Sequence, residues 1–207
     1  MTVFLGAQMG AVVQLEDVSF ENHGDVIFRD LTLALDPGDI VAVTGPNGSG
    51  KTTLIKCLLG ILRWSGGRCV NLPSKGSISY VPQRWSADSV FPLDVDGVLR
   101  MGLFTGTMNL DTRQAFGIEP LLKRAFIRLS LGQQKKILVV RALERNPKLL
   151  VMDEPFAGLD NESSLTLIEM LRRSAAAGAA VILASHESPW IEQLQARIFN
   201  MSAGGES

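Results

Sequence analysis

Residues 45–53 read Gly-Pro-Asn-Gly-Ser-Gly-Lys-Thr-Thr, a flexible stretch that ends in a lone lysine followed by two hydroxyls. Gly45, Gly50, Lys51 and Thr52 occupy the fixed positions of the pattern G-x-x-x-x-G-K-[ST]. Glycine there lets backbone N–H groups turn inward around a phosphate with no Cβ in the way. Pro46, Asn47, Gly48, Ser49 and Thr53 complete the loop that would wrap the phosphates. Lys51 would reach the β- and γ-phosphates, and the Thr52 hydroxyl would ligate Mg²⁺. A Gly/Ser linker without a ligand would not require a buried strand before it, a helix after it and Lys-Thr at the junction.

A phosphate cradle needs a metal ligand and a group that activates water. Residues 149–155, Leu-Leu-Val-Met-Asp-Glu-Pro, offer both at the end of a buried strand, where ligands gather in open α/β sheets. Asp153 would hold Mg²⁺, usually through water, and Glu154 would act as general base. Alone, the Asp-Glu pair reads as an ordinary helix start. His186 follows the apolar run Ala180–Ser185 and is one of two histidines. A lone histidine is more often structural, but this one is expected on the same sheet edge, within reach of a γ-phosphate. His23 sits in a polar loop with no such context.

The elements that must position these groups follow from periodicity. Residues 12–20 and 31–35 alternate apolar with polar, as half-buried antiparallel strands do. Asp36–Gly38 is a turn. Residues 40–45 are apolar on both faces, which suits a central strand covered by helices. Residues 51–62 carry leucine and isoleucine at helical spacing and predict a helix that ends near Trp64–Gly67. Strands at 149–153 and 180–185 are separated by a helix over 161–177, with Gly178 as its stop. Repeated strand–helix–strand units indicate a parallel sheet. Between Gln83 and Leu129, helix-like segments broken by Gly and Pro read as a small helical insertion. The tail at 202–207 is expected to be disordered.

The chain has 207 residues, of which 46% are hydrophobic and 20% charged, enough for one domain with a real core. A formal charge of -1 argues against a generic nucleic-acid surface. The pairs Lys135–Lys136 and Arg172–Arg173 read as solvated helix faces. The apolar run 175–184 is too short to span a bilayer. The N-terminus lacks the pattern of a signal peptide, and Met9 could serve as an alternative start, so an intracellular protein is expected. Cys57 and Cys69 have no metal-ligand spacing and are expected to be small buried hydrophobes.

Residues 129–160, LSLGQQKKILVVRALERNPKLLVMDEPFAGLD, resemble the signature-to-D-loop block of ATP-binding cassette (ABC) ATPases. The resemblance spans nearly the whole chain. Gln83 matches the Q-loop, Leu129–Gln133 the signature, Gly158–Asp160 the D-loop and His186 the switch histidine. It implies a P-loop α/β core with an antiparallel β subdomain and an inserted helical subdomain. The core would comprise 1–83 and 130–207, and the helical subdomain 84–129. Lys51, Glu154 and His186 would be catalytic, and Gln83 would join Thr52 and Asp153 around Mg²⁺. The residues themselves add that Ser130 and Gln133 form a capping-box pattern, and a capped helix start with a nearby glycine can bind an anion. In this family the signature closes over ATP held by the other subunit of a head-to-tail dimer. Ser130, Gly132 and Gln133 are therefore expected to act in trans, and Asp160 at the dimer interface of a homodimer.

Two positions depart from the family. Leu131 replaces a glycine, which is expected to slow or tune hydrolysis. Where the family places an adenine-stacking aromatic this chain has Asn22, flanked by Phe20 and His23, and none of the three is assigned to the base. With no membrane-spanning segment in the sequence, the permease of a transporter must be a separate subunit. Trp85, Phe91 and Pro92 could grip it or fill the small lobe's own core. The stretch 91–102 looks most like ATPases of zinc, manganese and iron-chelate importers, which implies a peripheral protein on the cytoplasmic face and a solute-binding protein outside. A compact exporter ATPase, such as one for haem, and a soluble non-transport ABC ATPase are the alternatives. The 46 residues between Gln83 and Ser130 are too few for the coiled-coil insertion of repair ATPases.

Overall fold

The computed structural model describes residues 10–85, 93–101, 110–186, 189–201 and 205–206. The chain opens with β1 (Val13–Asn22), β2 (Asp25–Leu35) and β3 (Ile40–Thr44), then α1 (Lys51–Leu58), β4 (Gly66–Asn71) and β5 (Ile78–Val81). Next come α2 (Val95–Arg100), α3 (Leu110–Ala115) and α4 (Leu131–Glu144). β6 (Leu149–Asp153), α5 (Asn161–Ala176), β7 (Ala180–Ala184), α6 (Pro189–Leu194), β8 (Arg197–Asn200) and β9 (Gly205–Glu206) complete it.

Two sheets result. β2, β1 and β4 form an antiparallel sheet in that order. The β1–β2 hairpin closes through His23 and Gly24, both at positive φ (51° and 91°), the pair that a two-residue primed turn requires. The second sheet runs β5-β6-β7-β3-β8-β9 and is parallel except for β9. Its central strands are buried on both faces, as their unbroken apolar sequences foretell. Ala42, Leu150, Met152, Val181 and Leu183 pack with α4 and α5 residues such as Ile137, Val140, Leu167 and Leu171. Val41, Val43, Val151 and Ile182, one residue out of phase, pack with Leu54, Ile55 and the antiparallel sheet.

The helical lobe is fixed to α4 by apolar packing of Val95, Val98 and Leu99 and by a buried ion pair. Arg113 donates to Glu144 through Nε (2.5 Å) and a terminal nitrogen (3.1 Å), and the two side chains are 5% and 0% exposed. Two donors on two oxygens is the geometry that lets such a pair survive burial.

Several expectations need correction. The helix after the glycine loop stops at Leu58, not near Trp64. Gly60 takes φ 69° and its N–H bonds to Cys57 C=O, which turns the chain out of the helix and frees residues 66–71 to become β4. β5, β8 and α6 were not foreseen. Gly205–Glu206 pair with Phe199 and Asn200, so that part of the tail is ordered. Cys57 is buried and its thiol is raised to about 11 by burial, whereas Cys69 on β4 is only half-buried. Arg172–Arg173 lie on an exposed face of α5 as expected, but Lys135 is only 5% exposed. Trp85 turns inward: its ring meets Phe126 edge-on at 6.1 Å, with the Arg141 guanidinium 5.4 Å from its centroid. Phe91, Pro92 and residues 1–8 lie outside the described residues.

Candidate nucleotide site

The loop between β3 and α1 is shaped by three positive-φ glycines, Gly45 (143°), Gly48 (85°) and Gly50 (95°). At two of them space matters as well. A Cβ on Gly45 would lie 2.8 Å from Ser49 Oγ, and one on Gly50 would lie 2.8 Å from Ile27 Cγ2. Gly50 caps α1, so the helix aims its free N–H groups at the loop. Lys51 Nζ folds back over the loop and donates to the carbonyls of Gly45 (2.7 Å) and Pro46 (2.9 Å).

Asn47, Gly48, Gly50, Lys51, Thr52 and Thr53 line a cavity of about 230 Å³ together with Gln83, Asp153, Glu154 and His186. The structure thus brings loop, Q-loop, strand end and histidine to one place. Gly45, Pro46 and Ser49 belong to the loop but do not line the cavity. Thr52 Oγ1 donates to Asp153 Oδ2 at 3.0 Å across 101 residues of sequence. Asp153 is 3% exposed. Burial pushes its carboxyl above the usual carboxylate range, opposed by the Thr52 hydroxyl and by the charges of Lys135, Lys51 and Lys56.

Glu154 follows β6 with φ 47°, a left-handed conformation that costs a non-glycine residue about 1 kcal/mol or more. Its N–H donates to Ala184 C=O (2.8 Å), and its carboxylate lies 3.3 Å from His186 Nε2. Ser185 Oγ donates to Glu154 Oε2 at 3.4 Å. The Glu154 side chain is 13% exposed and that of His186 52%, so the pair stands at the cavity mouth.

Ser130, Gly132, Gln133 and Asp160 do not reach this cavity. The capping box is complete: Gln133 N–H donates to Ser130 Oγ (3.3 Å) and Ser130 N–H to Gln133 Oε1 (3.1 Å). Asp160 caps α5, accepting from Ser163 N–H (2.8 Å), and pairs with Lys136 (3.1 Å). Gln83 also borders a second cavity, shared with Leu131, Lys135 and Gly158.

Sequence reasoning missed three residues around the site: Ile27, Ser185 and Lys135. Ile27 lines the same cavity as the glycine loop, while Phe20 packs inward toward Phe28 and His23 sits in the hairpin turn. Ser185 had a signal, since it stands between the strand and His186. For Lys135 the signal was its place five residues into the helix that the signature opens.

The profile of the ABC transporter family matches residues 28–157. The zinc import ATP-binding protein ZnuC of Acinetobacter baylyi is 34% identical over 188 residues, covering 90% of this chain and 72% of that protein. ZnuC of a Jannaschia species is 36% identical over 183 residues, 86% and 73% of the two chains. Among solved structures, the ATP-binding subunit of an ABC transporter superposes with a TM-score of 0.83 at 23% identity, over 91% of this chain and 85% of that one. A transporter described as of metal-chelate type, in an inward-facing conformation, gives 0.77 at 28% identity, over 93% and 80%. Among the described residues no helix is long and apolar enough to cross a membrane. The chain belongs to the ABC transporter family, as a subunit that binds ATP and couples its hydrolysis to transport.

Proposed function

We propose that this chain powers the import of a divalent metal ion, zinc first, as one of two identical ATPase subunits docked on the cytoplasmic face of separate permease subunits. A solute-binding protein would deliver the ion from outside. The relatives named for zinc import and the likeness to a metal-chelate type transporter support that choice of solute.

The observation that carries the mechanism is the facing of Glu154 and His186 toward Lys51 and Thr52 across one cavity. Lys51, with the loop N–H groups of Asn47 to Thr53, binds and orients the phosphates. Glu154 accepts a proton from the attacking water as the oxygen bonds to the γ-phosphorus. The bond to the β–γ bridging oxygen breaks, and His186 holds the γ-phosphate oxygens through Nε2. Ser185 and the cramped backbone at Glu154 keep the base from rotating away. The Thr52 hydroxyl, the Asp153 carboxylate and the Gln83 side-chain carbonyl form an all-oxygen donor set that suits Mg²⁺. Mg²⁺ bound there would neutralise charge developing on the β- and γ-oxygens.

Ser130, Gly132 and Gln133 lie away from their own chain's cavity, which supports their use in trans on the partner's ATP. Asp160 would face the same interface. The lobe at 84–129, inserted between the core segments 1–83 and 130–207, would pass the motion of Gln83 to the permease.

The test is recovery of tagged Glu154→Gln protein from its native cells in mild detergent with Mg-ATP, alongside zinc uptake in cells that carry Lys51→Ala. Co-purification of a polytopic membrane protein and loss of uptake are expected. Soluble partners alone would overturn the transport role, and a recovered permease with normal zinc uptake would move the role to another solute.

A further inference from the structure

Lys135 points into the protein from the second turn of α4, and its ammonium meets three backbone carbonyls. Nζ lies 2.9 Å from Pro82 O, 3.1 Å from Gln83 O and 3.2 Å from Glu154 O. An ammonium has three protons and no lone pair, so the set matches its donors one for one. The first two carbonyls belong to the segment that carries Gln83, and the third to the residue placed here as general base. Among the described residues no side-chain carboxylate forms an ion pair with Lys135, whose three hydrogen bonds go to backbone carbonyls. Burial lowers its ammonium to about 8, with the charges of Asp153 and Glu154 acting against that shift. Burying a cation is costly even with its donors satisfied, and stability alone would be served as well by an apolar side chain.

The acceptors follow neighbouring strands, β5 and β6, which pair in the parallel sheet. Glu154 holds a left-handed backbone (φ 47°) that is pinned on its N–H side by Ala184 C=O. Lys135 pins its carbonyl side. The same α4 begins with the signature, and Gly132 within it touches the Gly158 carbonyl of the D-loop segment. One helix therefore contacts the segments that carry Gln83, Glu154 and Gly158.

We propose that Lys135 is a positioning residue for hydrolysis: its ammonium clamps the backbone of Gln83 and Glu154 to the signature helix, so that the sensor and the base move as one unit. This inference rests on the reading of Glu154 as the base and Gln83 as a site residue. The clamp acts after ATP is bound, because Lys135 lines neither the phosphate loop nor the cavity around it. Removing it changes the geometry of the base and leaves phosphate binding intact.

The experiment compares Lys135→Met, which keeps length and loses every donor, with Lys135→Gln, which keeps two amide donors. Steady-state ATPase and hydrogen–deuterium exchange are measured on the purified full chain, with Glu154→Gln as control. Lys135→Met is expected to lower kcat by about ten- to a hundredfold with KM for ATP within about twofold. Exchange should rise together in residues 82–85 and 154–157. Lys135→Gln should recover part of both effects; if Lys135→Met does not fold, a lowered kcat at constant KM in Lys135→Gln carries the result. Wild-type kcat in the methionine variant, or a loss that appears in KM instead, overturns the clamp. Full hydrolysis by Glu154→Gln would instead overturn the reading of the base, whatever Lys135 does.

Discussion

A β-carbon at Gly132 would lie 2.6 Å from the carbonyl oxygen of Gly158, closer than any side chain tolerates, so the signature helix and the D-loop segment touch through bare backbone. That contact joins two segments 26 residues apart, on either side of β6, and it sets the first prediction. Gly132→Ala should push residue 158 away, cost about 1–3 kcal/mol in urea unfolding, and lower kcat. Unchanged unfolding and unchanged kcat would mean that the two segments are not in contact.

Thr52 and Asp153 make the second. Thr52→Val keeps the shape and removes the hydroxyl that donates to a carboxylate already raised by burial. The Asp153 carboxyl should rise further, with a loss of about 1.5–3 kcal/mol for a hydrogen bond to a charged group. Hydrolysis at any Mg²⁺ concentration should fall, and the Mg²⁺ concentration for half-maximal rate should increase. A normal Mg²⁺ dependence would exclude Thr52 from the metal site.

The backbone at residue 154 can be tested apart from its carboxylate. Both Glu154→Gly and Glu154→Ala lose the proposed base, but only glycine accepts φ 47° without strain. The glycine variant should be the more stable by about 1 kcal/mol in denaturant midpoints. An alanine variant of equal or greater stability would argue against the left-handed conformation.

Asp160 gives a pH signature. The Ser163 hydroxyl first, then the Ser163 N–H and Lys136, hold its carboxyl down to about 2. A carboxyl depressed by folding adds stability above its unfolded value near 4, and that stability fades as pH falls toward 2. Wild type and Asp160→Ala should therefore differ most at neutral pH, by about 1 kcal/mol, and converge in acid. A constant difference from pH 7 to pH 2 would deny the cap its charge.

Leu131 is 77% exposed at the first position of α4. Leu131→Gly should raise the steady-state ATPase rate, because the side chain stands where the partner's nucleotide is proposed to approach. A rate that does not rise would show that the leucine leaves the reaction untouched.

The site was more legible in the sequence than the scaffold. Phosphate chemistry demands glycine, lysine and carboxylate at fixed spacings, so the sequence itself marks Lys51, Thr52, Asp153, Glu154 and His186 as candidates, and these five line one cavity. β5 and β8 are four residues each, too short for alternation to register, and they exist because β6 and β3 offer them open edges. The end of α1 was obscured by Leu59, Ile61 and Leu62, which continue the apolar spacing past Gly60, where the backbone turns out. Lys135 was hidden by its neighbour. Adjacent residues on a helix point about 100° apart, so Lys136 can reach outward to Asp160 while Lys135 enters the protein.

The order β6-β7-β3 has one more effect. A single strand separates the glycine loop after β3 from Glu154 after β6, and two ladder spacings make about 10 Å. That interval is written in main-chain hydrogen bonds, beyond the reach of any side-chain substitution. For ATP bound as proposed, it would serve as a gauge of phosphate-chain length: a nucleotide one phosphate shorter would rest in the loop without touching the far side.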